Sequence, residues 1–264
     1  MRLWYQLLSS ETRLKNSVAA TQWVANRAAA PDTVVEVHGT PHGALGDQFR
    51  FFWHYDVREV IENGLKVRGS KNYDAFVIAN SLDPGLIELR EMLNIPVLSF
   101  MEICCFTACQ MGDRFGLVVP NARMAPRYAE IVRGYGLGSR LAAIEPLKFD
   151  NISRFDEVFT DPEVGNELME QMLIASRRAI ALGAEVIIST GPHSAFMSKR
   201  GVFQIDGVPV LDCYSLLVKS AEAMVAMHRL TGIAVSRKLL YQAPPEDLIR
   251  QCAEVRNIDA LRNG

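Results

Sequence analysis

No run of five or six like charges occurs in these 264 residues, and 28 basic against 30 acidic side chains leave a net charge of −2. Chains that hold nucleic acid or an acidic membrane surface concentrate positive charge, so no nucleic acid and no membrane is expected as a partner. No window approaches the roughly 18 uninterrupted apolar residues of a membrane span. The opening MRLWYQLLSSETR has a short apolar run without a cleavage-site pattern, and it reads as the first strand of a cytoplasmic protein. Cysteine is scarce and odd in number: Cys104, Cys105, Cys109, Cys213 and Cys252. An odd set argues against a disulfide framework. Cys105 and Cys109 fit two ligands on one helical face, but no second pair or neighbouring His completes a zinc site, so these read as structural thiols and no metal is expected. Also missing are GxGxxG after the first strand, GxxxxGK[ST], HExxH and paired CxxC motifs. No nucleotide and no cofactor is implied.

What is present is alternation. Short apolar runs (RLWYQLL, TVVEV, DAFVIA, PVLSF) are separated by amphipathic stretches at Glu11 to Ala29, Val57 to Val67, Pro84 to Leu93 and from Glu102 onward. The second half repeats the scheme with RFGLVV, PRYAEIVRGYG, RLAAIEP, a long helix from Pro162 to Leu182, AEVIIST, VPVLD and a last helix from Ser215 to Arg229. Strand and helix in turn are the pattern of βαβ units around a mostly parallel sheet. There is also an internal echo: DAFVIANS (74–81) parallels AEVIISTG (184–191), and NIPVLSF (94–100) parallels GVPVLDC (207–213). The expected fold class is therefore α/β, two pseudo-symmetric Rossmann-like lobes, each a mostly parallel sheet flanked by helices, with the active site between them. Residues 1–100 form lobe one and 101–212 lobe two. The helix at 213–231 packs back on lobe one, and 232–264 is a C-terminal extension.

Ligands of open parallel sheets sit beyond the carboxyl ends of the strands. The candidates there are Gln6, Ser9 and Ser10 after the first strand, Asn80 and Ser81 after DAFVIA, Asn121 after RFGLVVP, and Ser189, Thr190 and His193 after AEVII. All offer hydrogen bonds, and several precede a helix whose free amides favour an anion. The expected partner is a small-molecule carboxylate or cyclic amide; assembly into a homo-oligomer is left open.

With those turns in hand, the chain resembles the aspartate/glutamate/hydantoin racemase superfamily, and within it the hydantoin racemase branch. The resemblance rests on YDAFVIANSLDPGLIELREMLNIPVLSFMEI, RFGLVVPNARMAPRYAEIVRGYGLGSRLAAI, GAEVIISTG and GVPVLDCYSLLVKSAE. It implies two lobes, a cleft between them, no cofactor, and in the racemases one cysteine from each lobe flanking the substrate carbon. Here the first cysteine position holds Asn80 and the second Gly191, or Pro192 if one residue is inserted. By the same resemblance, His54 in the segment HYD (54–56) lies near the pocket mouth. An amide is no base at neutral pH, so Asn80 is expected to hold a carboxylate or a developing oxyanion. His193 is the expected acid/base, with His54 and Asp56 as further candidates. A lyase, hydrolase or isomerase is expected ahead of a two-base racemase. The alternatives are a catalytically retired binding protein or a racemase using His193.

Overall fold

The computed structural model describes residues 1–148 and 154–262. Its elements in chain order are β1 (Arg2–Ser10), α1 (Lys15–Ala28), β2 (Val34–Thr40), α2 (Arg50–Ser70), β3 (Ala75–Ile78), α3 (Leu86–Met92), β4 (Val97–Ser99) and α4 (Phe100–Met111). There follow β5 (Phe115–Val119), α5 (Ala125–Gly134), β6 (Leu141–Pro146), α6 (Arg154–Glu157), α7 (Pro162–Ala181), β7 (Val186–Ser189) and α8 (Pro192–Lys199). The chain closes with β8 (Gln204–Ile205), β9 (Val208–Pro209), α9 (Cys213–Thr231), α10 (Glu246–Arg256) and α11 (Asp259–Arg262).

Two parallel sheets result, in the orders β2-β1-β3-β4 and β6-β5-β7. A parallel bridge from Ile187 to Val210 sets the VPVL segment beside β7, just as β4 lies beside β3. The internal echo in the sequence is thus an echo in topology: β3 and β7 hold equivalent places, next to the central strands β1 and β5. The α/β two-lobed class read from the sequence is the class of the structure.

The apolar strands are unbroken because both faces are covered. Ala75 and Val77 pack into a core shared with Tyr5, Phe100 and Leu217, while Phe76 and Ile78 pack against Val60 and Leu89 of α2 and α3. In the second sheet Phe115 and Leu117 face that same shared core, and Val118 and Ile187 face Leu168 and Met172 of α7. One apolar core therefore runs between the lobes, and the two sheets are fastened to each other by it. At about 1.5–3 kcal/mol for each large side chain buried, this shared core fixes the cleft geometry more strongly than any polar contact across it. Where β5 meets α7, a Cβ on Gly116 would sit 2.8 Å from the Ala179 Cβ, so close packing there requires glycine.

Several boundaries differ from the sequence expectation. β1 continues through Ser10 instead of ending at Leu8; α2 begins at Arg50, well before Val57; and Pro192–Lys199 forms α8, where no helix was expected. Among the described residues no helix is long and apolar enough to cross a membrane.

Candidate functional site between the lobes

The carboxyl ends of β1, β3, β5 and β7 meet across a small cavity of about 70 Å³, walled on a further side by the 44–48 segment that follows β2. Ser9, Asn80 and Ser81 enter from lobe one, Asn121, Tyr128 and Gly191 from lobe two. In the turn after β3, Asn80 Oδ1 accepts the Leu82 N–H at 2.9 Å and Asn80 O accepts the Asp83 N–H at 3.0 Å. This Asx turn occupies the carbonyl of the side chain and leaves its amide N–H to donate. Ser81 Oγ and the Tyr128 hydroxyl are 2.8 Å apart. Burial pushes the Tyr128 phenol up to about 12, so it stays protonated and serves as a donor. Asn121 caps the approach to α5 by accepting the Met124 N–H at 3.2 Å, and its amide donates to Gln48 Oε1 at 3.3 Å.

The turn is held from below by Asp83. Its carboxylate accepts the N–H groups of Met101 and Glu102 at the start of α4, at 2.9 and 3.2 Å, and the Tyr135 hydroxyl at 2.5 Å. Burial is the largest influence on Asp83 and raises it to about 6, against these hydrogen bonds.

The facing turn after β7 is built differently. Gly191 has φ 59° and ψ −149°, a region populated almost only by glycine. Pro192 then opens α8, its fixed φ and missing N–H suiting a first helical position. A Cβ at Gly191 would lie 3.9 Å from Ser81 Oγ, so the two strand-end turns look directly at each other.

This two-lobe arrangement, with its cavity at matched strand ends, has relatives. Residues 15–221 match the family described as Asp/Glu/Hydantoin racemase. The chain belongs to the Asp/Glu/hydantoin racemase family. A hydantoin racemase of Pseudomonas sp. (strain NS671) is 28% identical over 208 residues, 79% of this chain and 80% of that protein. A second, from Paenarthrobacter aurescens, is 27% identical over 239 residues, 90% of this chain and 95% of that protein. The allantoin racemase of Pseudomonas fluorescens superposes with a TM-score of 0.76 at 22% identity, over 92% of this chain and 97% of its own. That of Klebsiella pneumoniae gives 0.73 at 22% identity, over 92% and 94%. At this identity the structural likeness speaks for the fold.

Within this family fold the five cysteines stand away from the cavity. Cys104 and Cys105 are buried in α4, where burial drives both thiols far up. Cys213 begins α9, its thiol against the carbonyls of Leu211 and Ser189 at 3.4 and 3.7 Å.

Of the site residues expected from sequence, Ser9, Asn80, Ser81 and Asn121 line the cavity and the others do not. His193, expected as the acid/base, is wholly buried on α8 behind Gly191, Pro192 and Phe155. Its Nδ1 lies 2.7 Å from the Thr190 carbonyl, its Nε2 has no partner among the described residues, and its ring meets Phe155 edge-on at 4.5 Å. A carbonyl can only accept, so Nδ1 carries the proton, and burial pushes the imidazole down to about 4. The structure therefore sets His193, expected as the acid/base, in the core and not among the side chains that line the cavity.

Thr190 is likewise buried, its hydroxyl donating to the Val118 carbonyl at 3.0 Å. Gln6 spends its side chain on the fold, with Nε2 donating to Leu7 O at 2.7 Å and Gly39 O at 3.0 Å, and Oε1 accepting from Trp4 Nε1 at 2.8 Å and Asn63 Nδ2 at 3.0 Å. Ser10 donates to Pro41 O at 3.1 Å and opens onto a separate depression with His38 and Lys66. Strand pleating explains the split. Successive side chains point to opposite faces, and of Gln6, Ser9 and Ser10 only Ser9 takes the interlobe side, on the face that carries Leu3, Tyr5 and Leu7. His54 is exposed on α2 beside Asp83 and Tyr135, outside the cavity.

Sequence reasoning missed Asp47 and Gln48, which complete the wall. Asp47 is half-buried, and desolvation raises its carboxyl against the pull of Arg127 and the N–H of Gln48. The signal was available: the Gly-rich run HGALGDQF follows β2 at yet another strand carboxyl end.

Proposed function

We propose that this chain is a cofactor-independent enzyme acting on a small carboxylate or cyclic amide in the interlobe cavity. The cavity holds an enolate-like or tetrahedral oxyanion on donors from Asn80, Ser81, Ser9 and Tyr128. Its reaction is that of a lyase, hydrolase or isomerase in preference to racemisation by two thiols. One observation carries this reading: the matched turns after β3 and β7 present Asn80 and Gly191 where the family resemblance places cysteines, and no thiol lines the cavity among the described residues. Donors preset around a developing negative charge are each worth about 10²–10³ in rate, and membership in a racemase family agrees with chemistry at a carbon next to a carbonyl. The small cavity suits a compact substrate.

The test uses three probes in deuterated or ¹⁸O-labelled water: 5-benzylhydantoin, allantoin and phenylmalonate. Enolate chemistry places solvent deuterium on carbon; hydrolysis places ¹⁸O in a product carboxylate. No incorporation from any probe, with equal behaviour of the Asn80→Ala variant, contradicts the proposal. The enclosed cavity, with few titratable groups, also suits a second reading, a binding protein that has lost turnover. Native mass spectrometry showing a probe retained but unchanged would favour it.

A further inference from the structure

The segment leaving β2 is forced over the end of β1. A Cβ on Gly43 would sit 1.9 Å from the Leu8 carbonyl, so only glycine lets the chain pass, and Ala44 beyond it is left-handed at φ 64°. Such backbone costs about 1–2 kcal/mol for a residue with a side chain, and strain of this kind collects at functional sites. What the segment delivers is Asp47, into the wall between the donors of lobe one and those of lobe two.

Lobe two clamps the backbone there. Arg127 Nη1 donates to Asp47 O at 2.6 Å while its guanidinium lies 4.6 Å over the Trp53 ring, and Asn121 holds Gln48. The arginine is thus spent on a carbonyl and a ring, and Asp47 makes no ion pair among the described residues. Behind it on α2 stands Asp56, 5% exposed, whose Oδ2 has no hydrogen-bond partner among the described residues. Burying carboxyls that form no ion pair, with only the more distant charges of Arg127 and Arg13 to offset them, costs stability, which a purely structural segment would avoid.

Resting on the reading of the interlobe cavity as the reactive site, we infer that Asp47 is its proton-transfer group and that Asp56, buried on α2 with an unpartnered carboxyl oxygen, is a positioning partner. Besides Asp47, the only titratable side chain lining the cavity among the described residues is Tyr128, which stays protonated near neutrality. The Asp47 carboxylate takes the proton from the carbon next to the substrate carbonyl. The C–H electron pair becomes the C=C bond of the enolate, and the charge moves to the oxygen held by the Asn80 and Ser81 donors. The Asp47 carboxylic acid, after exchange with water, returns a proton to carbon as the carbonyl re-forms. The groups facing Asp56 are Asp47 and Glu59, which raise it, and the Ala44 N–H and Arg13, which oppose them; burial is the largest influence, and Asp56 titrates at about 7.

The experiment is exchange of the C5 proton of 5-benzylhydantoin in deuterated water, followed by proton NMR, alongside binding of the same probe by calorimetry. Asp47→Asn and Asp47→Ala are expected to lose at least about 10²-fold in exchange, the range of general acid–base catalysis, and to keep binding. Formate restores exchange in Asp47→Ala alone, which separates lost chemistry from lost folding. Two carboxyls that feel each other give two steps in the pH–rate profile, and Asp56→Asn is expected to leave a single step. Wild-type exchange with undiminished Asp47→Asn activity overturns the assignment and leaves the site. A wild type that binds the probe and exchanges nothing overturns both.

Discussion

The turns after β3 and β7 occupy equivalent places in two sheets of the same strand order, yet they are chemically unlike. The first is a polar Asx turn that presents Asn80 and Ser81 and is braced by the Asp83 carboxylate on the start of α4. The second is a bare glycine in a left-handed extended conformation, followed at once by a proline-led helix that carries its histidine inward. The two halves share a scaffold and not the chemistry of their turns. Binding donors lie mainly on the lobe-one side and on Tyr128, and the acid/base enters from a third place, the loop after β2. Symmetric proton transfer by matched groups from the two lobes finds no support in such a cleft.

The largest expected break in this comparison is Asn80→Ala. Removing the donor of the lobe-one turn lowers kcat by about 10²-fold or more, with KM for the probe changed far less, measured by steady-state kinetics. Tyr128→Phe, which removes the hydroxyl partner of Ser81, follows at about 5-fold by the same assay, since one neutral hydrogen bond contributes about 1 kcal/mol.

Gly191→Ala tests the other turn through stability. At φ 59° an alanine is strained by about 1–3 kcal/mol, read as a lower midpoint in urea unfolding, and Asn80→Ala, which gives up the single Asx bond to the Leu82 N–H, should shift the midpoint less, by about 1 kcal/mol.

His193 sharpens the contrast through pH. Its folded value, about 4, lies below the ordinary 6.5, so the neutral form is favoured by the fold. Its contribution is fully present above pH 6.5 and is lost as pH falls toward 4, by about 3 kcal/mol at roughly 1.4 kcal/mol per unit. Unfolding midpoints at pH 7 and pH 4.5 should converge in His193→Gln relative to wild type. Asp56 has the opposite sign. Raised from 3.8 to about 7, it favours folding most below pH 3.8 and loses that contribution as pH rises through 7, so Asp56→Asn should gain stability over wild type at pH 8 and show little difference at pH 4. The smallest effect belongs to His54→Ala, exposed outside the cavity, with activity within about 2-fold.

Much of this was legible in the sequence for a physical reason. Strands buried on both faces read as unbroken apolar runs, so DAFVIA and AEVIIS could be placed, and with them the turns at Asn80 and Gly191. Pleating parity was harder. Gln6, Ser9 and Ser10 all sit near the end of β1, and which of them faces the cleft depends on where the strand stops, which the polar pair SS obscured. His193 was placed by its distance from the strand end alone, whereas the helix that starts at Pro192 turns its side chain into the core. For Asp47 the run HGALGDQF marked a strand end but not a place over the cleft, which is fixed by Arg127 and Asn121, 80 residues away from Asp47 and 73 away from Gln48 respectively.

The central claim is that the interlobe cavity works without a thiol. Its most direct test is deuterium exchange into 5-benzylhydantoin by protein treated with iodoacetamide, which reaches the part-exposed Cys109 and Cys252, and, separately, by Cys213→Ser, whose thiol lies against the Ser189 carbonyl at the end of β7. Activity within about 2-fold of the untreated wild type in both is the predicted result, and a loss of activity in a variant or alkylated sample that remains folded by circular dichroism would contradict it.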